Sequence, residues 1–473
     1  MQLEYLNLQI FLTCSFDMIN FLAMSIFFYL GEVVFAVVLL GLLAFNVFSA
    51  VEKEKRAFLR SFYVILGVLF LNAFILLLPS IIKNIILGAF FLLFILVLIF
   101  ILFSPKPNKS IEITGKQRKI DERDIIFSRF DLKQGSHIYH EYYKRKKEYK
   151  NTDDRIRNNP DILTSYHMAR DRINFSLADS EFDFLEYLLN RTKADISSKK
   201  MNMEKPKNTR LVKNVLKYLG ADISGICELD QSYVYSHVGR GPNAYGSTIE
   251  CKHKYAIVFA IKMNFEIISM SPKPPVIVET AHKYVKAANI SIITANFIRK
   301  LGHPARAHFA GSDYKAMVPP LAYKAGLGEI GRLGILITED YGPRVRLGLI
   351  TTDLPLDVDK PRVFGVQSFC ETCKKCALNC PSHAIPLGEK KEENGSFRWI
   401  INREACYEFW RKCGTDCAKC IYVCPYSKPN NLMHNIIRFA NSKSMGVQKL
   451  CLKGDDFLYG THPKEKKSLD WTK

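Results

Sequence analysis

Charge is what the first 104 residues of this 473-residue chain lack. They hold five basic residues (Lys53, Lys55, Arg56, Arg60, Lys83) and five acidic ones (Glu4, Asp17, Glu32, Glu52, Glu54), so the segment is neutral. The chain has 66 Lys+Arg and 46 Asp+Glu, and with five of each removed the whole net charge of +20 falls on residues 105–473. The marks of a secretory leader are also missing. No basic residue precedes the first apolar run, several such runs follow one another, and no twin-arginine pair opens the chain. At 48% hydrophobic residues the chain is too apolar for disorder, and its length excludes a small disulfide scaffold.

Three apolar stretches, residues 21–50, 62–78 and 85–103, approach or exceed the roughly 20 residues a membrane-spanning helix needs. The first is interrupted only by Glu32 and fits one tilted helix. Residues 8–30 and 33–50 turning near Gly31-Glu32 would instead make four spans. Residues 51–60 carry four basic side chains and are therefore expected on the cytoplasmic side. The last span then ends at Ser104 on that side, with Lys106 and Lys109 after it. The expectation is a multi-pass protein of the cytoplasmic membrane, with residues 105–473 in the cytoplasm. The basic excess reads as solvated surface beside an anionic leaflet. Nucleic acid is not expected as a partner, because no base-reading motif accompanies the charge.

Nine of the 13 cysteines lie between Cys370 and Cys424. The run Cys370-x2-Cys373-x2-Cys376-x3-Cys380-Pro381 is that of bacterial 4Fe-4S ferredoxins, and Cys417-x2-Cys420-x3-Cys424-Pro425 repeats its end. Zinc sites use pairs of cysteines rather than this run. In two-cluster ferredoxins the cysteine before proline serves the other cluster. One cluster then takes Cys370, Cys373, Cys376 and Cys424. The other takes Cys380, Cys417, Cys420 and either Cys406 or Cys413. Cys14, Cys227, Cys251 and Cys451 stand apart and read as small buried hydrophobes.

Residues 213–356 read as α/β. Residues 211–219 and 276–301 have helical spacing, while 255–261, 333–338 and 345–351 are short apolar or β-branched runs. Gly326-x-Gly328-x-x-Gly331 matches a dinucleotide fingerprint on paper. No convincing strand precedes it and no acidic ribose partner follows, so a tight turn beside a flat cofactor is the better reading. Residues 104–119 form a short linker rich in Pro, Lys and Ser, and residues 144–150 and 197–207 read as exposed charged loops.

Several blocks in order carry a family resemblance: Phe297-Ile-Arg-Lys-Leu-Gly302, Ala325-Gly-Leu-Gly-Glu-Ile-Gly-Arg332, Tyr341-Gly-Pro-Arg-Val-Arg346 and Thr352-Asp-Leu-Pro-Leu356, then the cysteine run. Upstream, Glu122-Arg-Asp124, Phe127-Ser-Arg129, Tyr139, Tyr142-Tyr143 and Asp153-Asp154 continue it. Over roughly residues 120–440 the chain resembles the corrinoid/iron–sulfur reductive dehalogenases, here with its own transmembrane helices. Epoxyqueuosine reductase is a more distant relative.

The resemblance implies N-terminal transmembrane α-helices, an α/β nitroreductase-like corrinoid-binding core and a C-terminal ferredoxin-like domain with two 4Fe-4S clusters. It places an anchor at residues 1–104, a linker and N-terminal extension at 105–210, the core at 211–362, the cluster domain at 363–440 and a tail at 441–473. It implies a base-off cobamide, whose Co(I) state, fed by the clusters, replaces halogen by hydrogen on a small organohalide. The Asp-x-His-x-x-Gly motif of His-ligated corrinoid proteins is absent.

The proton donor of the family is a tyrosine, which Tyr284 resembles by position, with Arg346 as the nearby arginine. A phenol is a poor acid near neutral pH, so an adjacent cation must stabilise the phenolate. A helper residue is open among His308, Asp313 and Lys315. Gly326, Gly328 and Gly331 are the corrinoid-side candidates. A cysteine before an aromatic-Trp pair, as in Cys406-Tyr-Glu-Phe-Trp410, favours Cys406, whereas an epoxyqueuosine reductase spacing favours Cys413. Electrons would come from ferredoxin, flavodoxin or membrane quinol. The alternative readings are a membrane-anchored diferredoxin conduit and an epoxyqueuosine-reductase-like corrinoid reductase.

Overall fold

A computed structural model describes residues 2–107, 110–164, 171–192, 194–310, 314–467, 469 and 471, the backbone alone over residues 2–25. Lys109, Asp313 and the Cys14 side chain lie outside the described parts. The chain divides into two compact units, residues 1–106 with 431–461, and residues 107–430 with 462–473.

In the first unit, α1 (Gln2–Val51), α2 (Lys55–Leu77) and α3 (Ser80–Phe103) carry the apolar runs. Three helices, Ile26–Val51, Lys55–Leu77 and Ser80–Phe103, are long and apolar enough to cross a membrane. α1 passes unbroken through Gly31-Glu32, so the four-span alternative is not adopted. Gly31 instead admits α3, since a Cβ there would lie 2.7 Å from that of Leu87. Small residues serve such close helix approach in lipid.

The second unit begins with α4 (Ile126–Phe130), α5 (His137–Arg145), α6 (Lys147–Arg157) and α7 (Arg172–Tyr187). Residues 144–150, expected as loop, are the junction of α5 and α6. Tyr139, Tyr142 and Tyr143 form a buried aromatic face that holds the charged segment helical. There follow α8 (Lys205–Tyr218), β1 (Ile223–Glu228), β2 (Tyr255–Lys262), α9 (Phe265–Ile268), α10 (Pro275–Lys300), β3 (Ala305–His308), α11 (Val318–Lys324), β4 (Glu329–Ile330), β5 (Leu336–Ile337) and β6 (Val345–Thr352).

The main sheet has the order β1-β2-β6-β3, with every pair antiparallel. β2 is buried along its length except at Lys262. Its alternation separates two cores. Ile257, Phe259 and Ile261 face Val212 and Leu216 of α8 and Ala288 and Ile298 of α10. Ala256, Val258 and Ala260 face Leu321 and Ala322 of α11. A strand buried on both faces needs a continuous apolar run rather than alternation with polar residues, which is what residues 255–261 supply.

The cysteine-rich part has α12 (Val366–Cys373), α13 (Lys375–Leu378), a hairpin of β7 (Lys391–Glu393) and β8 (Ser396–Arg398), α14 (Arg403–Cys413) and α15 (Lys419–Tyr422). The chain then returns to the first unit with α16 (Leu432–Lys443) and α17 (Met445–Leu458). Residues beyond 440, expected as a tail, are thus helical as far as Leu458.

Candidate redox and catalytic site

The two cysteine half-motifs have the same backbone course. After Cys373 comes Lys374 at φ +53°, then the one-turn α13, then Cys380-Pro381. After Cys417 comes Ala418 at φ +48°, then the one-turn α15, then Cys424-Pro425. A left-handed residue costs a non-glycine side chain about 1 kcal/mol. Here it reverses the chain between two cysteines so that successive sulfurs turn to one side.

Burial is the largest cause raising each thiol, and the next causes identify its neighbours. For Cys376 they are Cys370, Cys424 and Cys373. For Cys424 they include Cys370 and Cys373. Cys406, pushed up to about 11, is next to Cys380 and then Cys413. Cys420 senses Cys406, Cys376 and Cys380, and Cys417 senses Cys420, Cys413 and Cys406. Cys424 of the second half therefore stands with the first three cysteines, and Cys380 of the first half stands with Cys406 and Cys420. Buried thiols this close resist ionising together, so cations held between them would be needed to keep them as thiolates. Among the described residues no three His, Cys, Asp or Glu side chains lie close enough to share a single metal ion.

Cys413 points its Sγ at the carbonyls of Trp410 and Thr415, at 3.6 and 3.2 Å. Away from this set, Cys227 is buried, donates to the Leu321 carbonyl at 3.5 Å and is pushed up to about 12 by burial. Cys251 is also buried, 3.5 Å from the Thr351 hydroxyl.

Tyr284 of α10 and Arg346 of β6 meet. The guanidinium lies 5.2 Å from the centre of the Tyr284 ring. Sequence reasoning missed two other members of this group, Asp416 and Thr280. Arg346 Nη2 donates to Asp416 Oδ2 at 2.9 Å and to Thr280 Oγ1 at 2.7 Å, and Thr280 Oγ1 donates to the same carboxylate oxygen at 2.5 Å. Asp416 directly precedes Cys417, and an acidic residue at that place was the one signal available. Burial works against the Arg346 charge, but Tyr284, Asp416, Tyr314 and Glu279 more than offset it and raise its pKa. Burial raises the Asp416 carboxyl, opposed by Arg346. Arg346 Nε and Asp416 Oδ1 are buried and have no hydrogen-bond partner among the described residues. Tyr314 donates to the Leu347 carbonyl at 3.1 Å.

Of the helper candidates, His308 is fully buried with both nitrogens engaged. Nε2 lies 2.9 Å from Thr351 Oγ1, and Nδ1 accepts from the Lys315 backbone N–H at 3.4 Å. Burial, then Arg306, His253 and Lys315, hold its pKa well below the usual imidazole value. The Lys315 side chain is buried.

Gly326, Gly328 and Gly331 follow α11 and flank the short β4, so no helix opens on them as a dinucleotide site requires. A Cβ would stand 2.5 Å from the Lys360 carbonyl oxygen at Gly326, 2.2 Å from the Ile337 carbonyl oxygen at Gly328 and 2.4 Å from the Ile337 side chain at Gly331. The chain's own packing therefore demands glycine at 326 and 328, where backbone stands in the way, whereas at 331 the neighbours are side-chain ends. Arg332, next in line, is buried. It donates to the carbonyls of Cys370, Pro386 and Gly388 at 2.7–2.9 Å and lies 4.6 Å from the Trp399 ring centre.

The upstream motifs form one clamp on α14, the helix that carries Cys406 and Cys413. Arg129, buried, reaches Asp153 at 3.5 Å and Glu404 at 2.5 Å, and its guanidinium lies 4.0 Å from the Tyr149 ring centre. Tyr143 donates to Asp153 at 2.9 Å and Tyr139 to Asp154 at 2.7 Å.

A family model described as a 4Fe-4S dicluster domain matches residues 369–428. The tetrachloroethene reductive dehalogenase of Desulfitobacterium hafniense is 33% identical over 301 residues, covering 54% of this chain and 54% of that one. That of Sulfurospirillum multivorans is 31% identical over 287 residues, 53% and 57% of the two chains. An epoxyqueuosine reductase of Lactococcus garvieae is 31% identical over 132 residues, 25% and 36% of the two. The solved structure of a catabolic reductive dehalogenase superposes with a TM-score of 0.60 at 23% identity, over 76% of this chain and 49% of that one, which is a likeness of fold. The chain spans about half the length of the curated relatives it matches. The resemblance to reductive dehalogenases stands, with epoxyqueuosine reductase the more distant relative.

Proposed function

We propose that the chain is a membrane-anchored reductive dehalogenase, which passes electrons through two 4Fe-4S clusters to a base-off cobamide and replaces halogen by hydrogen on an organohalide. The observation that carries this reading is the junction at Asp416, whose carboxylate holds Arg346 over Tyr284 while its neighbour Cys417 belongs to the crossed cysteine sets. Cys370, Cys373, Cys376 and Cys424 would hold one cluster. Cys380, Cys406, Cys417 and Cys420 would hold the other, with Cys406 preferred to Cys413 because the Cys413 thiol is already spent on two carbonyls.

The four-stranded sheet, covered by helices on both faces, supports a nitroreductase-like core at residues 211–362, between the anchor and extension before it and the cluster domain after it. Gly326, Gly328 and Gly331 would bring backbone near the corrinoid. A bound cobamide supplies the strongly reducing metal centre that breaks the carbon–halogen bond. The residues present fit such a site, since Arg346 Nε and Asp416 Oδ1 are buried polar atoms without a hydrogen-bond partner among the described residues. Arg346 remains a cation beside Tyr284 and stabilises the phenolate left when the tyrosine gives up its proton. Asp416 and Thr280 fix the guanidinium in place. Small organohalides are the substrate class, and a ferredoxin, flavodoxin or membrane quinol is the electron donor. The catalytic unit would lie on the cytoplasmic side of a multi-pass anchor.

Anaerobic purification with iron, cobalt and spectroscopic analysis tests this reading. About eight irons per chain and one corrinoid are expected. Full iron without cobalt, even after reconstitution with cobamide, would turn the assignment to a diferredoxin conduit.

A further inference from the structure

The last two helices have their polar and apolar sides reversed. On α16 the inward side chains are polar: His434, Arg438 and Asn441 are each about 5% exposed, at helical spacing i, i+4, i+7. The opposite face carries Leu432, Ile436 and Phe439, exposed by 68%, 54% and 61%, again at i, i+4, i+7. Lys443 continues that face, with its ammonium 4.7 Å from the Phe439 ring centre. Single exposed apolar residues are ordinary on a soluble surface. A whole helical stripe of them opposite a buried polar face is the pattern of a helix whose outer solvent is not water.

The contacts of α16 and α17 fix how they run. At its start, His434 Nε2 lies 3.1 Å from Glu52 Oε1, and Asn431 donates to the same carboxylate, in the connection between α1 and α2. At its end, Met445 N donates to Pro105 O at 3.0 Å and Gly446 N to Ser104 Oγ at 3.2 Å, where α3 finishes. α17 then runs back, so that Tyr459 packs with Phe45 and Ala57, and Arg60 of α2 covers Phe457. The end of α1, the start of α2 and the end of α3 emerge on one side of the antiparallel spans. Each helix bridges these emergence points, about 18–21 Å along its axis, and so runs across the ends of the spans rather than along them.

We propose that α16 is an in-plane interfacial helix, with Leu432, Ile436 and Phe439 set into the headgroup–acyl boundary of the bilayer that α1–α3 cross. Lys443 extends from the end of this stripe to the lipid phosphates. The proposal rests on the reading of α1–α3 as spans, and adds a lipid contact to a segment more than 300 residues away in sequence. It gives α16 a physical task, which is to cover the ends of the three spans and extend the anchor sideways.

The test uses the full chain in nanodiscs of ordinary or acyl-brominated lipid, with Phe439→Trp as the probe and Leu69→Trp in α2 as the span control. The parent's Trp399, Trp410 and Trp471 provide the baseline to subtract. Brominated lipid is expected to cut the added emission of both variants at least twofold. Quenching of the Leu69→Trp emission without that of Phe439→Trp would overturn the proposal: red-shifted emission would then mean a water-facing stripe, and blue-shifted emission a protein-covered one. No quenching of Leu69→Trp would remove the spans themselves and the proposal with them. Leu432→Trp, at the more exposed end of the stripe, repeats the test if Phe439→Trp does not fold.

Discussion

Residues 373–381 and 417–425 share one course, a cysteine, a left-handed residue, a single helical turn and a Cys-Pro pair. Their surroundings differ. The first half lies beside the buried cation Arg332, which donates to the Cys370 carbonyl at 2.9 Å and lies against Trp399. The second half is led by the buried carboxylate Asp416, tied to Arg346 and through it to Tyr284. Spacing sets the backbone that turns the sulfurs inward, whereas residues distant in sequence set the charge around them. A cation favours the more negative, reduced form of a neighbouring cluster, so a cluster held beside Arg332 would be easier to reduce, whereas at the second half Arg346 balances the Asp416 charge.

The largest expected effect comes from breaking each nest in turn. Cys376→Ser and Cys420→Ser should each remove about half of the iron and abolish turnover, as read by iron per chain and by the electron paramagnetic resonance of the remaining cluster. Loss of all iron from either variant would show that the two nests assemble as one unit and that the comparison between them has no basis. Next comes the junction. Arg346→Met leaves the Asp416 carboxylate buried and unpaired, which should cost about 3–5 kcal/mol of stability, and removes the cation from Tyr284. Turnover should fall about 10²- to 10⁴-fold, with iron content and the corrinoid spectrum retained. Unchanged turnover would take Tyr284 out of the proton step.

Smaller changes sharpen the difference between the halves. Arg332→Gln should lower the potential of one cluster only, by about 59 mV for each tenfold change in its reduced-to-oxidised ratio, with Arg332→Lys recovering much of the shift. An equal shift in both clusters would mean that the cation belongs to neither half. Gly328→Ala acts four residues before Arg332 by crowding the Ile337 carbonyl of β5, where the added Cβ would lie at 2.2 Å. A loss of about 1–3 kcal/mol in thermal unfolding is expected, with the cluster beside Asp416 keeping its signal.

What could be read from the residues alone divides along the same line. The 4Fe-4S motif was legible because Cys-x2-Cys spacing is local, and the three long apolar helices were legible because apolar runs of that length stand out in any sequence. Residues 255–261 gave themselves away as a strand by being apolar at every position. The meeting of Tyr284 and Arg346 rested on resemblance, since only the packing of α10 on β6 joins residues 62 positions apart. Asp416 was passed over although it adjoins Cys417, a candidate ligand, because nothing local says that its partner is Arg346. The stripe Leu432, Ile436, Phe439 was visible at helical spacing too. It fell within residues 363–440, read as part of the cluster domain, because a helix with its apolar face outward makes sense only once the span ends lie beneath it.

The smallest effect is the most discriminating for the second half. Cys413 and Cys406 are both half-buried and near Cys417, and both were candidates for one position. Of the two, Cys413 spends its thiol on backbone carbonyls among the described residues, at 3.2 and 3.6 Å, and serine preserves a donor there. Cys413→Ser should therefore leave iron, both cluster signals and turnover unchanged, and shift unfolding by no more than about 1 kcal/mol. Cys406→Ser should lose the second cluster while the first keeps its signal. If the two results were exchanged, the two helical turns from Cys406 to Cys413 would present the opposite end of α14 to the cluster. The Arg129–Glu404 clamp, which fixes the Cys406 end, would then be holding the wrong part of the helix.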